Sequence, residues 1–332
     1  MTIKDVAKEA QVSVATVSRV INGFPNVNDE LRVRVEQTIE KLGFKPNQLA
    51  KGLKNNVTYT VGIVVSDISN SYFNGVIRHI ERVMNEKGYS LLMASTDGNE
   101  QKEKECIEMM DAKRVDGLVI CPVSPDIEKI VSNVSCPVVS FDRSSLNHIR
   151  DTVYVDKERS MYDAVAHLFQ KGHKEIAVIS GMKNLSTNFD RYHGYMRAHY
   201  DWDMIAHKEN MYFGSFTKEY GKQSFEKLMK GGTKPTAIIS GSADLTEGIL
   251  AKAKELKVRI PEDISLISFG TLSFQDILDL RITYVDEMQS TIGEKIGKMI
   301  LTRLRNTSIP ARLEVLESGI VEGDSVKAMN DN

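Results

Sequence analysis

TIKDVAKEAQVSVATVSRVIN, residues 2–22, reads as two short helices joined by a tight turn. Thr2, with Asp5 three residues on, makes an N-terminal capping pair. Ile3, Val6, Ala7 and Ala10 fall on one helical face. Gln11 and Val12 make the turn, and Ser13 is placed to cap a second helix that carries Val14, Val17, Val20 and Ile21. The polar side of that helix shows Ser13, Thr16, Ser18, Arg19 and Asn22. Short donors around one arginine suit phosphate contacts and a base edge in the major groove. The stretch therefore predicts a helix-turn-helix, although two amphipathic helices that merely pack in a core share its periodicity.

Charge around this stretch points the same way. Residues 1–60 hold nine Lys and Arg against six Asp and Glu, while the rest of the 332 residues hold 34 against 39. A modestly basic head on an acidic body fits a nucleic-acid-binding module attached to something else. With 41% hydrophobic and 27% charged residues, the chain has material for two or three cores. Cys106, Cys121 and Cys136 are odd in number and widely spaced, which excludes a disulfide framework and a cysteine metal site. The first twenty residues carry charges throughout, and no uncharged apolar run reaches bilayer length. The expectation is a cytoplasmic protein without membrane contact.

Beyond Phe24-Pro25-Asn26, the run Asn28-Asp29-Glu30 opens a third helix with acid at its positive end. Leu31, Val35, Ile39 and Leu42 form its buried stripe and Gly43 ends it. The segment from Gln48 to Leu53 is too short to be a stable helix alone. From Thr60 the rhythm becomes strand-helix alternation, in two rounds that divide near residue 157. Short apolar strands between amphipathic helices mean parallel sheets covered on both faces, hence two lobes. Ligands in such folds sit at the carboxyl ends of strands, here facing each other across a cleft. The helix over 292–304 and the strand over 313–316 return to the first lobe, so the chain crosses between lobes three times.

The string TIKDVAKEA-x-VS-x-ATVSRVING resembles the signature of the lactose/galactose repressor (LacI/GalR) family, and the resemblance extends over nearly the whole chain. It implies an α headpiece (helix-turn-helix plus hinge helix) joined to a two-lobe α/β core like that of periplasmic binding proteins, with parallel sheets. The implied bounds are a headpiece at 1–45, a hinge helix and linker at 46–59, and an effector-binding core at 60–332. Within the core the first lobe takes about 60–157 and 288–317, the second about 158–287 and 318–332. For DNA the resemblance nominates Thr2, Ser13, Val14, Ala15, Thr16, Ser18, Arg19 and Asn22, with Asn47, Ala50 and Leu53 in the hinge. Leu53 would be a minor-groove wedge and Ala50 the small residue that allows close approach; otherwise the segment is a plain tether. Val14 and Ala15 favour thymine methyls, which leaves Arg19 as the main polar reader.

For the cleft, DISNSYF supplies Asp67, Asn70, Tyr72 and Phe73, an aromatic beside polar groups. Asp142 and Arg143 match the strand-end pair that bonds hydroxyls in sugar-binding relatives, or else form an ion pair of little worth. Arg191 matches an arginine that opens the next helix, and Phe216 matches a second stacking aromatic, or is loop core. The chain departs from the family further on. Gly270 stands where an aspartate usually grips ligand hydroxyls, Ala243-Asp244 replaces Asn-Asp, and Glu287 and Met288 replace glutamine and proline. Loss of the carboxylate at 270 with Arg143 and Arg191 kept predicts a more positive pocket and an anionic effector, such as a phosphosugar.

No motif nominates a nucleophile, a metal or a cofactor: GxxxxGK[ST], HExxH and GxSxG are absent. Three readings compete. A ligand-responsive repressor of carbohydrate genes, not an enzyme, explains headpiece, hinge and cleft together. A solute-binding protein explains the cleft alone. A regulator with a protein co-effector, such as a phosphocarrier protein, explains an eroded cleft. Double-stranded DNA read as a palindrome calls for a homodimer, and the short polar segment after Gly323 offers no leucine-heptad tail for a tetramer.

Overall fold

In a computed structural model, residues 1–21, 23–44, 57–143, 150–182 and 185–329 are described. They divide into two compact units, Met1–Thr58 and Tyr59–Asn332.

The first unit holds three helices, α1 (Ile3–Glu9), α2 (Val14–Ile21) and α3 (Asp29–Leu42). Each start follows from a polar residue that meets orphan amides. The Asp5 carboxylate accepts from the Thr2 amide at 2.7 Å and from its hydroxyl at 3.0 Å. Ser13 Oγ accepts from the Thr16 amide at 3.1 Å, and Asn28 Oδ1 from the Glu30 amide at 2.8 Å. Gln11 makes the turn between α1 and α2 with φ 53°, and Gly43 ends α3 at φ 58°, where a glycine is at no disadvantage. Val6, Ala7, Ala10, Val17, Val20, Val27 and Val35 close the small core. Val14 is 42% exposed and stays out of that core, on the face nominated for DNA.

The second unit contains two six-stranded sheets among the described residues. The first comprises β1 (Thr60–Val65), β2 (Ser90–Ser95), β3 (Gly117–Ile120), β4 (Val138–Phe141), β5 (Asp151–Val155) and β11 (Leu313–Leu316). Its order is β11-β5-β4-β3-β1-β2, parallel throughout. The second comprises β6 (Ile176–Ser180), β7 (Met211–Phe213), β8 (Ala237–Ser240), β9 (Ser265–Phe269), β10 (Thr283–Val285) and β12 (Ile320–Val321). Its order is β12-β10-β9-β8-β6-β7, with β12 antiparallel at the edge. Strands such as β3, β4, β6, β8 and β9 are buried along their whole length, as double coverage requires.

In the first lobe, α4 (Ser71–Asn85) and α11 (Gln289–Arg305) cover one face, α5 (Glu100–Ala112) and α6 (Ile127–Val131) the other. In the second lobe the layers are α7 (Lys157–Gln170) with α8 (Ser186–Asp201), and α9 (Lys218–Lys230) with α10 (Ala243–Leu256). The chain passes between lobes at β5 to α7, β10 to α11 and β11 to β12 among the described residues. One expectation needs correction. Helix α8 begins at Ser186, so Arg191 lies in its second turn and does not open it. Strands β10 and β12 escape the sequence reading because each is too short to carry a period.

Asp151, on β5, shows how α11 is fastened to the first sheet. Its fully buried carboxylate takes two bonds from Arg303, at 2.8 and 2.9 Å, and one from the Arg312 amide at 2.8 Å. Removing it strands a nearly buried guanidinium. Asp151→Ala is expected to lower stability by about 3 kcal/mol, read as a lower urea midpoint at unchanged slope.

Candidate functional site

Helix α2 presents Val14, Ala15 and Arg19 as exposed side chains, with Ser13 exposed at its start and Thr16 and Ser18 half-buried. The hydroxyls of Ser13 and Thr16 lie 2.9 Å apart and serve the cap, and the Thr2 hydroxyl is given to Asp5. One face thus carries two small apolar groups and a guanidinium, a set able to meet thymine methyls and a purine edge. Asn22, Asn47, Ala50 and Leu53 lie outside the described residues.

The second site is a cavity of about 290 Å³ between the lobes. All nine cleft residues nominated from the sequence line it: Asp67, Asn70, Tyr72, Phe73, Asp142, Arg143, Arg191, Phe216 and Glu287. They arrive on the segments that follow the carboxyl ends of β1, β4 and β10, on α8, and on the loop after β7. Asp67 accepts from the Ser69 amide and hydroxyl, and Asn70 caps α4 through the Tyr72 amide. Tyr72 and Phe73 belong mainly to the first-lobe core and show the cavity only their edges, at 8% and 4% exposure. Phe216 is half-buried, its ring 5.8 Å from the Arg191 guanidinium, and is the freer stacking face.

The floor is built of buried charge. Lys157 Nζ lies 3.1 Å from Glu287 Oε1 and 3.4 Å from Asp142 Oδ1, and Arg191 Nη2 lies 3.2 Å from the same Glu287 oxygen. The Lys157 ammonium also sits 5.1 Å from the centre of the Tyr72 ring, and Arg191 4.6 Å from that of Phe269. Burial opposes ionisation of Asp142, but Lys157, Arg143 and Arg191 together hold its carboxyl below the usual range. Burial pushes the Tyr72 phenol well up, and the charges of Asp142 and Glu287 add to that. Arg143 donates to the Pro122 carbonyl at 2.8 Å. That loop is held by the buried Glu103 carboxylate, which accepts from the amides of Val123 and Ser124 at 2.6 and 2.9 Å. The Nε groups of Arg143 and Arg191 are buried with no hydrogen-bond partner among the described residues. Asp142 holds φ 62° and Met288, beside Glu287, φ 54°. Backbone held in this sparsely populated region is characteristic of functional sites.

The expectation of a more positive pocket fails here. Glu287 turns into the space beside Gly270, so the floor keeps two carboxylates. Four acidic residues, Asp67, Asp97, Asp142 and Glu287, line the cavity against Arg143 and Arg191, with the Lys157 ammonium beneath Asp142 and Glu287. Lys157 and Glu103 were missed because their role lies in three-dimensional pairing; a lysine after Asp156 reads as the exposed first turn of a helix.

A family model described as the periplasmic binding proteins and sugar-binding domain of the LacI family matches residues 58–316, and one for bacterial regulatory proteins of the lacI family matches residues 2–47. The chain belongs to the LacI family. It is similar to catabolite control protein A of Priestia megaterium, 32% identical over 97% of this chain and 96% of that protein. It is also similar to the HTH-type transcriptional repressor PurR of Aliivibrio salmonicida, 29% identical over 98% of each. In fold it matches the lac repressor dimer bound to operator and the anti-inducer ONPF, with a TM-score of 0.86, 21% identity and 99% of both chains covered. This LacI-family protein is accordingly a transcriptional regulator with a helix-turn-helix headpiece and a ligand-binding core.

In this LacI-family core the two lobes also meet at the cavity mouth. Asp244, in the first turn of α10, accepts from the Ser71 hydroxyl at 3.2 Å, at the first turn of α4. Burial raises the Asp244 carboxyl, and the Ser71 amide and hydroxyl draw it partly back. A carboxylate from one lobe thereby binds the first residue of a helix of the other. Asp244→Ala is expected to speed hydrogen exchange at the Ser71 and Tyr72 amides about tenfold, with the buried β3 strand unchanged. Mass-resolved exchange on peptides over 66–73 measures this; unchanged exchange there means that Asp244 does not hold the lobes.

Proposed function

We propose that this regulator is a cytoplasmic homodimeric repressor of carbohydrate-metabolism genes, without enzymatic activity. Its affinity for a palindromic operator is set by a neutral, hydroxyl-rich small molecule, a sugar, held between the lobes. The observation that carries this reading is the cavity floor. Two carboxylates able to accept from hydroxyls alternate there with two guanidinium groups whose Nε–H donors are unspent, beside the open ring of Phe216. A phosphate dianion would enter against Asp142 and Glu287 and would compete for an Arg191 already committed to Glu287. A cavity of about 290 Å³ is at the lower edge of the usual ~300–1,000 Å³ for small-molecule sites, the size for a mono- or disaccharide.

The division into a headpiece at 1–45, a hinge and linker at 46–59 and a core from 60 belongs to this proposal, with Asn22, Asn47, Ala50 and Leu53 as further DNA contacts. The second reading, a protein co-effector, rests on the 32% likeness to catabolite control protein A. Titration with phosphorylated phosphocarrier protein tests it directly.

Two measurements test the main reading. Isothermal titration with a panel of D-glucose, D-galactose, D-ribose, maltose and cellobiose, set against glucose 6-phosphate and fructose 6-phosphate, is expected to find a neutral binder. Binding confined to the phosphorylated members would refute the neutral-effector reading. On the DNA side, Arg19→Ala should weaken binding to a selected operator by about 1–3 kcal/mol and flatten discrimination at one base position. Equal weakening on all sequences would make Arg19 a phosphate contact only.

A further inference from the structure

Gly270 follows β9 at φ 80°, and a Cβ built on it would lie 3.0 Å from Oε2 of Glu287. The glutamate carboxylate therefore occupies the volume that a side chain at 270 would enter. Its Oε1 is fixed by Lys157 and Arg191, at 3.1 and 3.2 Å, which leaves Oε2 turned toward Gly270. Glu287 stands where the chain passes from β10 to α11, and Lys157 where it passes from β5 to α7. The ion pair thus joins two of the passages between lobes, and both partners are at least nine-tenths buried. An acceptor held this way, with the Arg191 guanidinium bonded to its other oxygen, faces a ligand as an acceptor-donor pair. Two adjacent hydroxyls satisfy such a pair, one donating to the carboxylate and the next accepting from the guanidinium.

We propose that Glu287 is the specificity-determining hydroxyl acceptor of the cavity, filling the place of a side chain at 270, and that Lys157 is the residue that positions it. The effector class that follows is a sugar with a vicinal diol. This inference rests on the reading of the cavity as an effector site. A site built around such a pair rejects analogues that lack one hydroxyl far more strongly than it rejects changes of bulk, since the buried groups are then left unpaired.

The test titrates the full chain and its variants with the sugar panel named above and follows thermal unfolding of each. For the neutral sugar that binds the unaltered protein, Glu287→Gln is expected to lose about tenfold or more. Gly270→Ala carries only the strain of a side chain at φ 80°; Gly270→Asp is expected to lose binding well beyond it, because its carboxylate meets that of Glu287, and Gly270→Asp/Glu287→Gln to return within about threefold of Gly270→Ala. Lys157→Met should lose the preference for the parent sugar over its deoxy analogue, and Lys157→Arg should regain it; a lysine that only stabilises the fold would leave that preference untouched. Glu287→Gln or Gly270→Asp binding as the unaltered protein does overturns the inference. If no neutral sugar binds at all, the effector reading fails and unfolding decides this one. The midpoint lowered by Gly270→Asp must then rise again on adding Glu287→Gln, and additive losses overturn the inference.

Discussion

An ammonium group taken out of water loses several kcal/mol of hydration, which only well-placed opposite charge restores. Lys157, 3% exposed, is met by Asp142 from the first lobe and by Glu287 from the passage between β10 and α11. Arg191, from the second lobe, shares the Glu287 oxygen. No single lobe contains all four groups, so their charges balance only in the assembled core. The cavity floor, the passages between lobes and the pairing of the lobes are for that reason a single electrostatic unit. Whatever enters the cavity meets groups that also hold the two halves in register.

The surrounding structure makes this arrangement rigid. Glu103, fully buried, spends its carboxylate on the amides of Val123 and Ser124, and the loop so fixed gives the Pro122 carbonyl to Arg143. Asp142 keeps its left-handed backbone with its amide on the Val153 carbonyl and with Phe141 fully buried beneath it. Such a conformation costs about 1–3 kcal/mol and persists only where neighbours over-determine it. The same side chains that restrict the floor leave two guanidinium Nε groups without a protein partner. The floor is therefore held by several buried contacts while two of its donors stay unspent among the described residues.

The headpiece and the alternating core were legible in the sequence because their signals are local. Caps at Thr2, Ser13 and Asn28, the Gly43 stop, the strand-helix alternation from Thr60 and the strand over 313–316 all follow from short-range patterns. Val14 lies on the apolar side of α2 by composition, yet it is exposed beside Ala15 and Arg19, on the face nominated for base contacts. The start of α8 was placed late because its first turns, Ser186 to Asp190, carry little apolar signal. Position-by-position comparison reads Gly270 as a loss, and only the fold shows Glu287 in the vacated volume. Chemistry that moves between residues distant in sequence leaves no mark at either position alone.

Strand β11 completes the first sheet beside β5, and β12 completes the second beside β10, although only a few residues separate them in the chain. During synthesis the first sheet cannot be completed before residue 316 is available, nor the second before residue 321. Until then, β5 and β10 present open edges, while Met1–Thr58, a separate compact unit, has long been synthesised. The core therefore matures late and as a whole. A nascent chain stalled between β10 and β11 would carry a finished headpiece on two unfinished sheets, the species in which strand edges are most open to wrong partners.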